Sequence, residues 1–288
     1  MTNKKLLNVI RNVSPHWVGD GFPVRSLISY NHQAERNDPF LLLDYAGPAQ
    51  FPPAEKRRGV EEHPHRGFET VTIVYSGEVS HRDSAGNQGT IGPGDVQWMT
   101  AASGVVHEEF HSDRFTKAGG LFEVIQLWVN LPSKEKMSSP KYQGIVDAQI
   151  PKVSLIDDKG TMRVIAGHFL GVQGPASTFT PINLWDLQLQ AGGSVDLDIP
   201  EGHTALVVVH KGKLLANDQP LVPVELAQFD RTGDRITIKS EMDSRALILT
   251  GQPINEPIVG HGPFVMNTRE EISQAIKDYQ AGRMGVLA

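Results

Sequence analysis

Short runs of alternating or continuous hydrophobic residues recur along most of the chain, and this pattern predicts β-strands. The clearest runs are 70–75, 97–100, 121–129, 184–189, 204–209, 235–239 and 245–249. Residues that suit tight turns separate them, as at 84–87, 92–95 and 217–218. Many short strands at this spacing are typical of sandwiches and barrels, so we expect an all-β protein.

One polar stretch interrupts this pattern near the middle of the chain. Residues 131–140 read LPSKEKMSSP, are bounded by proline and contain few apolar side chains. Such a segment is typical of a connection between domains. We therefore predict an N-terminal domain over 1–132 and a C-terminal domain over 143–288.

The end of the chain changes to a helical pattern. Thr268 and Glu271 have the spacing of a capping box, in which the side chain of each residue can accept a hydrogen bond from the backbone N–H of the other. Apolar residues then follow at helical spacing, and Gly282 is a plausible stop. We predict a terminal helix over 268–282 that packs its apolar stripe on a barrel.

Composition narrows the chemistry that the protein can perform. Hydrophobic residues make up 39% of the 288 and charged residues 21%, as expected of a chain with a packed core. A net charge of −6 argues against nucleic-acid binding. The sequence contains no cysteine, which excludes disulfides, thiolate nucleophiles and Cys-ligated metals. It also contains neither a membrane-spanning apolar run nor a signal-peptide pattern, so we expect a cytoplasmic protein.

The first candidate for chemistry is the pair His63 and His65, which lies immediately before the predicted strand 70–75. Residues two apart in an extended chain share a face, so both imidazoles point the same way. They can then reach one metal ion at about 2.0–2.1 Å. Such a pair alone is a weak signal, but Pro64 stiffens its spacer and the strand that follows is apolar.

The second candidate is the pair His107 and Glu109, which shares a face for the same reason. The glycines and the turn at 92–95 place this strand near the first pair. Three nitrogens and one carboxylate would leave coordination positions open, as in catalytic rather than structural metal sites. We predict that His63, His65, His107 and Glu109 bind one divalent transition metal.

Other residues compete for the carboxylate position. Glu69 lies four residues after His65 and has the right parity, which makes it the first alternative to Glu109 both as ligand and as catalytic base. Glu108 could bind if a bulge shifted the register by one residue. His111 shares the parity of His107 but is expected in a supporting or surface position.

At this point the chain resembles a known family. The segments HPHRGFET, PGDVQWMTAASGVVHEE and GHGPFVMNTREEI are similar to motifs of the pirin family, and the resemblance extends over essentially the whole sequence. It implies two stacked cupin β-sandwich domains of jelly-roll type with one metal, expected to be Fe(II), in the N-terminal domain. His63, His65, His107 and Glu109 would be the ligands, although Mn, Ni, Cu, Co and Zn suit the same donors. Where the family has alanine, this chain has Glu108.

The C-terminal half has no corresponding pair. Its apparent counterpart around His203 has Ala205 where a second ligand would be needed. His203 and His210 differ in parity, so we expect surface or edge histidines and no metal in this half.

Two functions are compatible with these observations. The resemblance implies a quercetin 2,3-dioxygenase-like oxidoreductase that cleaves a flavonol with O2 and releases carbon monoxide; Glu109 or Glu69 would take the 3-hydroxyl proton, and Phe68 and Trp98 would line the pocket. It also implies the alternative of an iron-redox-sensitive module that binds a transcription factor or a metabolic enzyme. We expect a monomer that binds neither nucleic acid nor membrane.

Overall fold

The computed structural model describes residues 2–287, and strands dominate it. The first half of the chain contains β1 Leu6–Ile10, β2 His16–Val18, β3 Phe22–Ser29, β4 Phe40–Phe51, β5 Gly59–His65, β6 Phe68–Ser76, β7 Val79–Asp83, β8 Gln88–Ile91, β9 Val96–Thr100, β10 Val105–His111, β11 Gly120–Asn130 and β12 Lys141–Ile145. The second half contains β13 Lys152–Ser154, β14 Gly160–Ala166, β15 His168–Phe169, β16 Val172–Gln173, β17 Ile182–Leu189, β18 Ser194–Asp198, β19 Thr204–Lys211, β20 Leu214–Ala216, β21 Gln219–Leu221, β22 Leu226–Phe229, β23 Arg235–Ser240, β24 Ser244–Gly251, β25 Val259–His261 and β26 Phe264–Met266. The helices are α1 Ala34–Asn37, α2 Asp113–Ala118 and α3 Arg269–Gln280, and short 3₁₀ turns cover Ser133–Glu135, Asp147–Gln149 and Ile156–Asp158.

These elements confirm the all-β prediction. Each of the predicted strands lies within an observed one, which is equally long or longer at one or both ends. No helix among residues 2–287 is long and apolar enough to span a membrane.

The chain folds into two domains whose boundaries differ from the predicted 1–132 and 143–288. The first domain comprises 14–147 together with the C-terminal segment from Ile254, and the second comprises 148–253 together with the N-terminal segment up to Val13. Strand β1 pairs with β22, and α3 packs with β25 and β26 in the first domain. The terminal helix therefore belongs to the first domain and not to the C-terminal one. A boundary drawn at a polar linker cannot show this exchange of ends, because it depends on pairing between residues about 200 positions apart.

The first domain is a sandwich of two antiparallel sheets. The larger sheet has the order β12-β9-β6-β11-β4-β3-β2 and the smaller one β5-β10-β7-β8. Side chains from both sheets form a core that includes Phe22, Val74, Val79 and Phe122, and Phe115 of α2 packs into it. The interior of this sandwich receives the candidate chemistry.

The second domain repeats this arrangement strand by strand. Its larger sheet has the order β1-β22-β19-β24-β17-β14-β13 and its smaller one β18-β23-β20-β21. Strand β18 thus corresponds to β5, and β23 to β10. The core is continuous and apolar between the sheets, from Trp185 and Leu187 to Ile236 and Ile238.

The terminal helix has the predicted cap. The Thr268 hydroxyl accepts from the Glu271 amide at 3.1 Å, and the Glu271 carboxylate accepts from the Thr268 amide at 2.9 Å. Ile272 and Ala275 are buried against Val106, which confirms that the apolar stripe packs on a barrel. Tyr279, at the end of the stripe, is exposed.

Candidate metal centre

Three histidines converge inside the first domain because β5 and β10 are antiparallel neighbours. His63 lies directly opposite His107, and His65 lies opposite Val105. The ring centroids are 4.3 Å apart for His63 and His107, and 4.8 Å apart for each of these rings and His65. The predicted adjacency of the two pairs is confirmed.

Each of these three imidazoles has one nitrogen engaged and one left over. His63 Nδ1 lies 2.8 Å from the Glu61 carbonyl. His65 hydrogen-bonds the backbone of Pro263 while its Nδ1 is buried without a partner. His107 Nδ1 lies 3.3 Å from His81 Nδ1 while its Nε2 is buried without a partner. Buried lone pairs without partners are costly, and a metal ion is the partner that they fit.

Burial also sets the charge of these rings. It holds the pKa of His65 well below the usual 6.5, and the neighbouring His63 lowers it further, against the hydrogen bond to Pro263. Burial, with His63, His65 and His81 adding to it, does the same to the pKa of His107. Both side chains are therefore neutral near pH 7, which is the form that ligates metals.

Glu109 lies on the same interior face as His107. Its carboxylate accepts from Gln126 Nε2 at 2.9 Å, Thr72 Oγ1 at 3.3 Å and Gln97 Nε2 at 3.4 Å. Two groups of side chains in the described residues could hold a metal: His63, His65 and His107, and His81, His107 and Glu109. Within each group the ligand atoms lie within 4.8 Å of one another. His107 belongs to both groups, so it lies near both the Glu109 carboxylate and the imidazoles of His63 and His65.

Glu69, the predicted alternative, lies on the other face of its strand. It pairs with Thr100 in the register of β6 and β9, whereas Thr72 and Gln97, which contact Glu109, pair with each other on the interior face. Its Oε1 accepts from Thr100 Oγ1 at 2.7 Å. Burial raises the pKa of Glu69 to about 7. The structure does not bring Glu69 to the histidines.

Glu108 and His111 of β10 follow the expected alternation, but His111 is more buried than we expected. Glu108 points outward and accepts from Arg82 Nε at 2.6 Å, although a register shift does occur between His107 and Glu109. His111 is buried, not at the surface as one expectation had it. Its ring packs against Phe51 at 4.6 Å and Phe122 at 4.5 Å, deeper in the core.

The C-terminal segment of the chain holds the end of β5 in place. Arg66 Nη1 donates to Asp278 of α3 at 2.7 Å, and its Nε donates to the Ser103 carbonyl at 2.6 Å. Gly67 has a φ of +92°, and a Cβ there would lie 2.0 Å from the Val265 carbonyl oxygen. The residues that follow His65 in the HPHRG motif thus serve close packing beside the histidines.

Sequence reasoning missed His81 and Asp83. His81 is not among the candidates that the sequence suggested, yet it is buried on β7 directly opposite Glu109. Its Nε2 lies 3.1 Å from Asp83 Oδ2. Burial raises the pKa of Asp83, but hydrogen bonds from His81 and Asn87 outweigh it and leave that pKa below its ordinary value. The signal was present: His81 and Asp83 are spaced two apart before a turn, like the pairs that we did select.

Aromatic side chains border the histidines on one side. The ring centroid of His65 is 5.1 Å from that of Phe68 and 5.2 Å from that of Trp128, and these two aromatic rings stack at 4.2 Å. Phe68 therefore lies beside His65, and its role as a pocket wall stays a prediction. Trp98 does not lie there, because it shares the face of Glu69 and Thr100.

The counterpart of the histidine pair in the second domain is not the segment around His203. That residue precedes β19, whereas the strand that corresponds to β5 is β18. His210 is buried, contrary to the expectation of a surface or edge position, with Nε2 3.6 Å from Asp186 Oδ1. Both groups of possible metal ligands among residues 2–287 lie in the first domain.

This chain is similar to known proteins over nearly its whole length. Residues 21–129 match the pirin family, and 184–285 match the pirin C-terminal cupin domain. A Pseudomonas aeruginosa protein named "Putative quercetin 2,3-dioxygenase" is 58% identical over 280 residues, which are 97% of this chain and 98% of that one. The crystal structure of a quercetin 2,3-dioxygenase from Acinetobacter baumannii is 52% identical, covers 98% of this chain and 99% of its own, and has a TM-score of 0.95.

A more distant structure shares the fold. A bacterial pirin from Escherichia coli, crystallised in complex with nickel(II), is 20% identical, with a TM-score of 0.66 over 85% of this chain and 99% of its own. The first domain of this chain contains a possible His/Glu site for a metal ion. The two family matches, the relatives and the repeated sandwich confirm the predicted resemblance, and the chain belongs to the pirin family of bicupin proteins.

Proposed function

We propose that the protein is a metal-dependent oxygenase that cleaves flavonols in the manner of quercetin 2,3-dioxygenase. The observation that carries the proposal is the convergence of three imidazoles next to a buried carboxylate; two of these imidazoles, His65 and His107, are buried and retain a ring nitrogen without a partner. Similarity to relatives named for this activity supports it. His63, His65, His107 and Glu109 would hold one divalent ion, with Fe(II) as our first choice.

The metal and the residues around it would each have a separate role. When bound, the metal would supply Lewis-acid polarisation of a substrate oxygen and the redox chemistry that O2 needs. The stacked pair Phe68 and Trp128 would orient a planar flavonol beside His65. His63, which is only half-buried, marks the side from which the substrate would enter.

Glu109 would receive the proton of the flavonol 3-hydroxyl. Three neutral donors, Thr72, Gln97 and Gln126, hold its carboxylate in place. Proton transfer by a positioned carboxylate is worth about 10²- to 10⁴-fold in rate. We assign this role to Glu109 and not to Glu69, because Glu69 lies on the opposite face of β6.

The test is reconstitution of metal-free protein with Fe(II), Mn(II), Co(II), Ni(II), Cu(II) or Zn(II), followed by an assay for quercetin consumption and carbon monoxide. We expect turnover with at least one ion. The variant His65→Ala should lose both metal and turnover, whereas Glu69→Gln, a matched buried carboxylate on the other face, should keep both.

Two results would overturn the proposal. Full turnover by metal-free protein would show that the metal centre is not the catalyst. A stable metal complex without turnover for any ion would instead favour the alternative, a metal-bearing module that binds a protein partner in an iron-redox-dependent manner.

A further inference from the structure

We infer that Asp83 and His81 are positioning residues that fix the tautomer of His107, so that its Nε2 is always available to the metal. The inference rests on the proposed metal centre but does not depend on its reaction. It is carried by a row of buried contacts that begins at Asp83 in β7 and ends at His107 in β10.

The need for such a device follows from the partners of the three histidines. His63 faces the Glu61 carbonyl and His65 hydrogen-bonds the backbone of Pro263. A carbonyl only accepts, so the nitrogen facing it must carry the proton and the other nitrogen keeps its lone pair. His107 faces another imidazole instead, with 3.3 Å between the two Nδ1 atoms. An imidazole nitrogen can donate or accept, so this contact alone does not decide which nitrogen of His107 is free.

Asp83 supplies the missing constraint. Its Oδ1 accepts from the Ala85 amide at 2.9 Å and the Asn87 amide at 3.0 Å, at the turn that joins β7 and β8. These bonds hold the carboxylate and turn Oδ2 towards His81 Nε2, 3.1 Å away. Because an ionised carboxylate only accepts, His81 Nε2 must carry the proton.

The order of protons then follows along the row. With its proton on Nε2, His81 has a lone pair on Nδ1, and the 3.3 Å contact is a hydrogen bond when His107 Nδ1–H donates to that lone pair. His107 Nε2 is therefore the lone pair, and it is the buried nitrogen of that ring that has no hydrogen-bond partner. The ring of His81 is itself held by stacking on Tyr142, with centroids 5.3 Å apart. Outer hydrogen bonds of this kind orient metal ligands in many proteins.

The variant Asp83→Asn inverts this order with little change of shape. The new amide keeps an oxygen for the turn but presents N–H to His81 Nε2, which must then accept. His81 would carry its proton on Nδ1 and donate to His107 Nδ1, leaving the proton of His107 on Nε2, where the metal should bind. We expect the affinity for Zn(II) or Co(II), measured by competition with a chromophoric chelator, to fall about 10- to 100-fold.

Two further variants complete the design. His81→Leu removes the acceptor without inverting it and should weaken metal binding by about 10-fold. Glu108→Gln, next to His107 but paired outward with Arg82, is the matched control and should bind metal as the unmodified protein does. Thermal unfolding of each metal-free variant identifies any that has not folded.

The decisive measurement is the tautomer itself, from long-range ¹H–¹⁵N spectra of the histidine rings in metal-free protein. We expect His107 to be protonated at Nδ1 in the unmodified protein and at Nε2 in Asp83→Asn. An unchanged tautomer in Asp83→Asn, or unchanged metal affinity in both Asp83→Asn and His81→Leu, would overturn the inference. Absence of quercetin turnover would contradict the proposed function only, since neither readout involves catalysis.

Discussion

In the first domain the strand pair β5–β10 presents His63, His65, His107 and Glu109 to the interior, whereas the corresponding pair β18–β23 presents Leu197, Ile236 and Ile238, together with Ile199 directly after β18. Leu197 lies opposite Ile236 across this strand pair, as His63 lies opposite His107 across β5 and β10. All four aliphatic side chains are at most 1% exposed. One architecture thus holds either a polar centre or an apolar core.

The contrast shows what the polar centre requires beyond its ligands. The aliphatic interior of the second domain is satisfied by packing alone. The histidine interior needs a partner for every buried nitrogen and oxygen, and it recruits them from neighbouring strands: His81 from β7, Gln97 from β9 and Gln126 from β11. A metal site in the second domain would therefore need polar residues on the strands that correspond to β7, β9 and β11, as well as at the positions of the candidate ligands.

The largest effect that we predict comes from transferring the aliphatic pair into the first domain. His63→Leu/His107→Ile should reduce the bound metal from one ion per chain to none, as measured by elemental analysis after dialysis. Without metal, the variant should be about as stable as the unmodified protein, because an apolar side chain would replace the imidazole of His107, whose buried Nε2 lacks a partner.

The control for this exchange lies in the second domain. Ile236→Val should cost about 1 kcal/mol of unfolding free energy and leave the metal content unchanged. Metal retained by the double variant, or lost from Ile236→Val, would contradict the assignment of chemistry to one domain.

The sequence alone predicted the two pairs of candidate ligands because their signal is local. Alternation along an extended chain places His63 with His65 and His107 with Glu109, whatever the rest of the fold does. The capping box at Thr268 is local in the same sense, and both of its hydrogen bonds are present.

The failures are those of non-local information. Strand β6 is buried on both faces from Phe68 to Val74, so no polar–apolar alternation marks which face is interior, and Glu69 could not be told from a ligand. The exchange of chain ends between the domains depends on β1 pairing with β22, which no local pattern records. His81 was missed because its partners Asp83 and His107 come together only through the register of β7 and β10.

The second prediction concerns Glu69, which lies on the face of β6 that points away from the sandwich interior. In the second domain, the same face of the corresponding strand β19 carries the uncharged residues Leu206 and Val208. The pKa of Glu69 is about 7 in the folded protein, against an ordinary 4.5. Between these values the folded state binds the extra proton and the unfolded state does not, so the unfolding free energy falls as the pH rises. The loss contributed by this group is about 3 kcal/mol, complete above the folded pKa.

Denaturant unfolding of Glu69→Gln and of the unmodified protein at pH 5 and pH 8 measures this difference. The amide cannot ionise, so the variant should lack that part of the pH dependence and be the more stable protein at pH 8. Equal pH dependence in the two proteins would show that Glu69 ionises as freely in the folded state as in the unfolded chain.

The smallest predicted effect comes from helix α3, which belongs to the first domain alone. Thr268→Ala removes the acceptor for the Glu271 amide and should cost about 1 kcal/mol. Thr268→Ser, which keeps the hydroxyl, should cost less. Hydrogen exchange should quicken in residues 269–280 of the alanine variant and stay unchanged in β19 of the second domain. Faster exchange in both domains would mean that the helix stabilises the whole chain and not only the domain that carries the histidines.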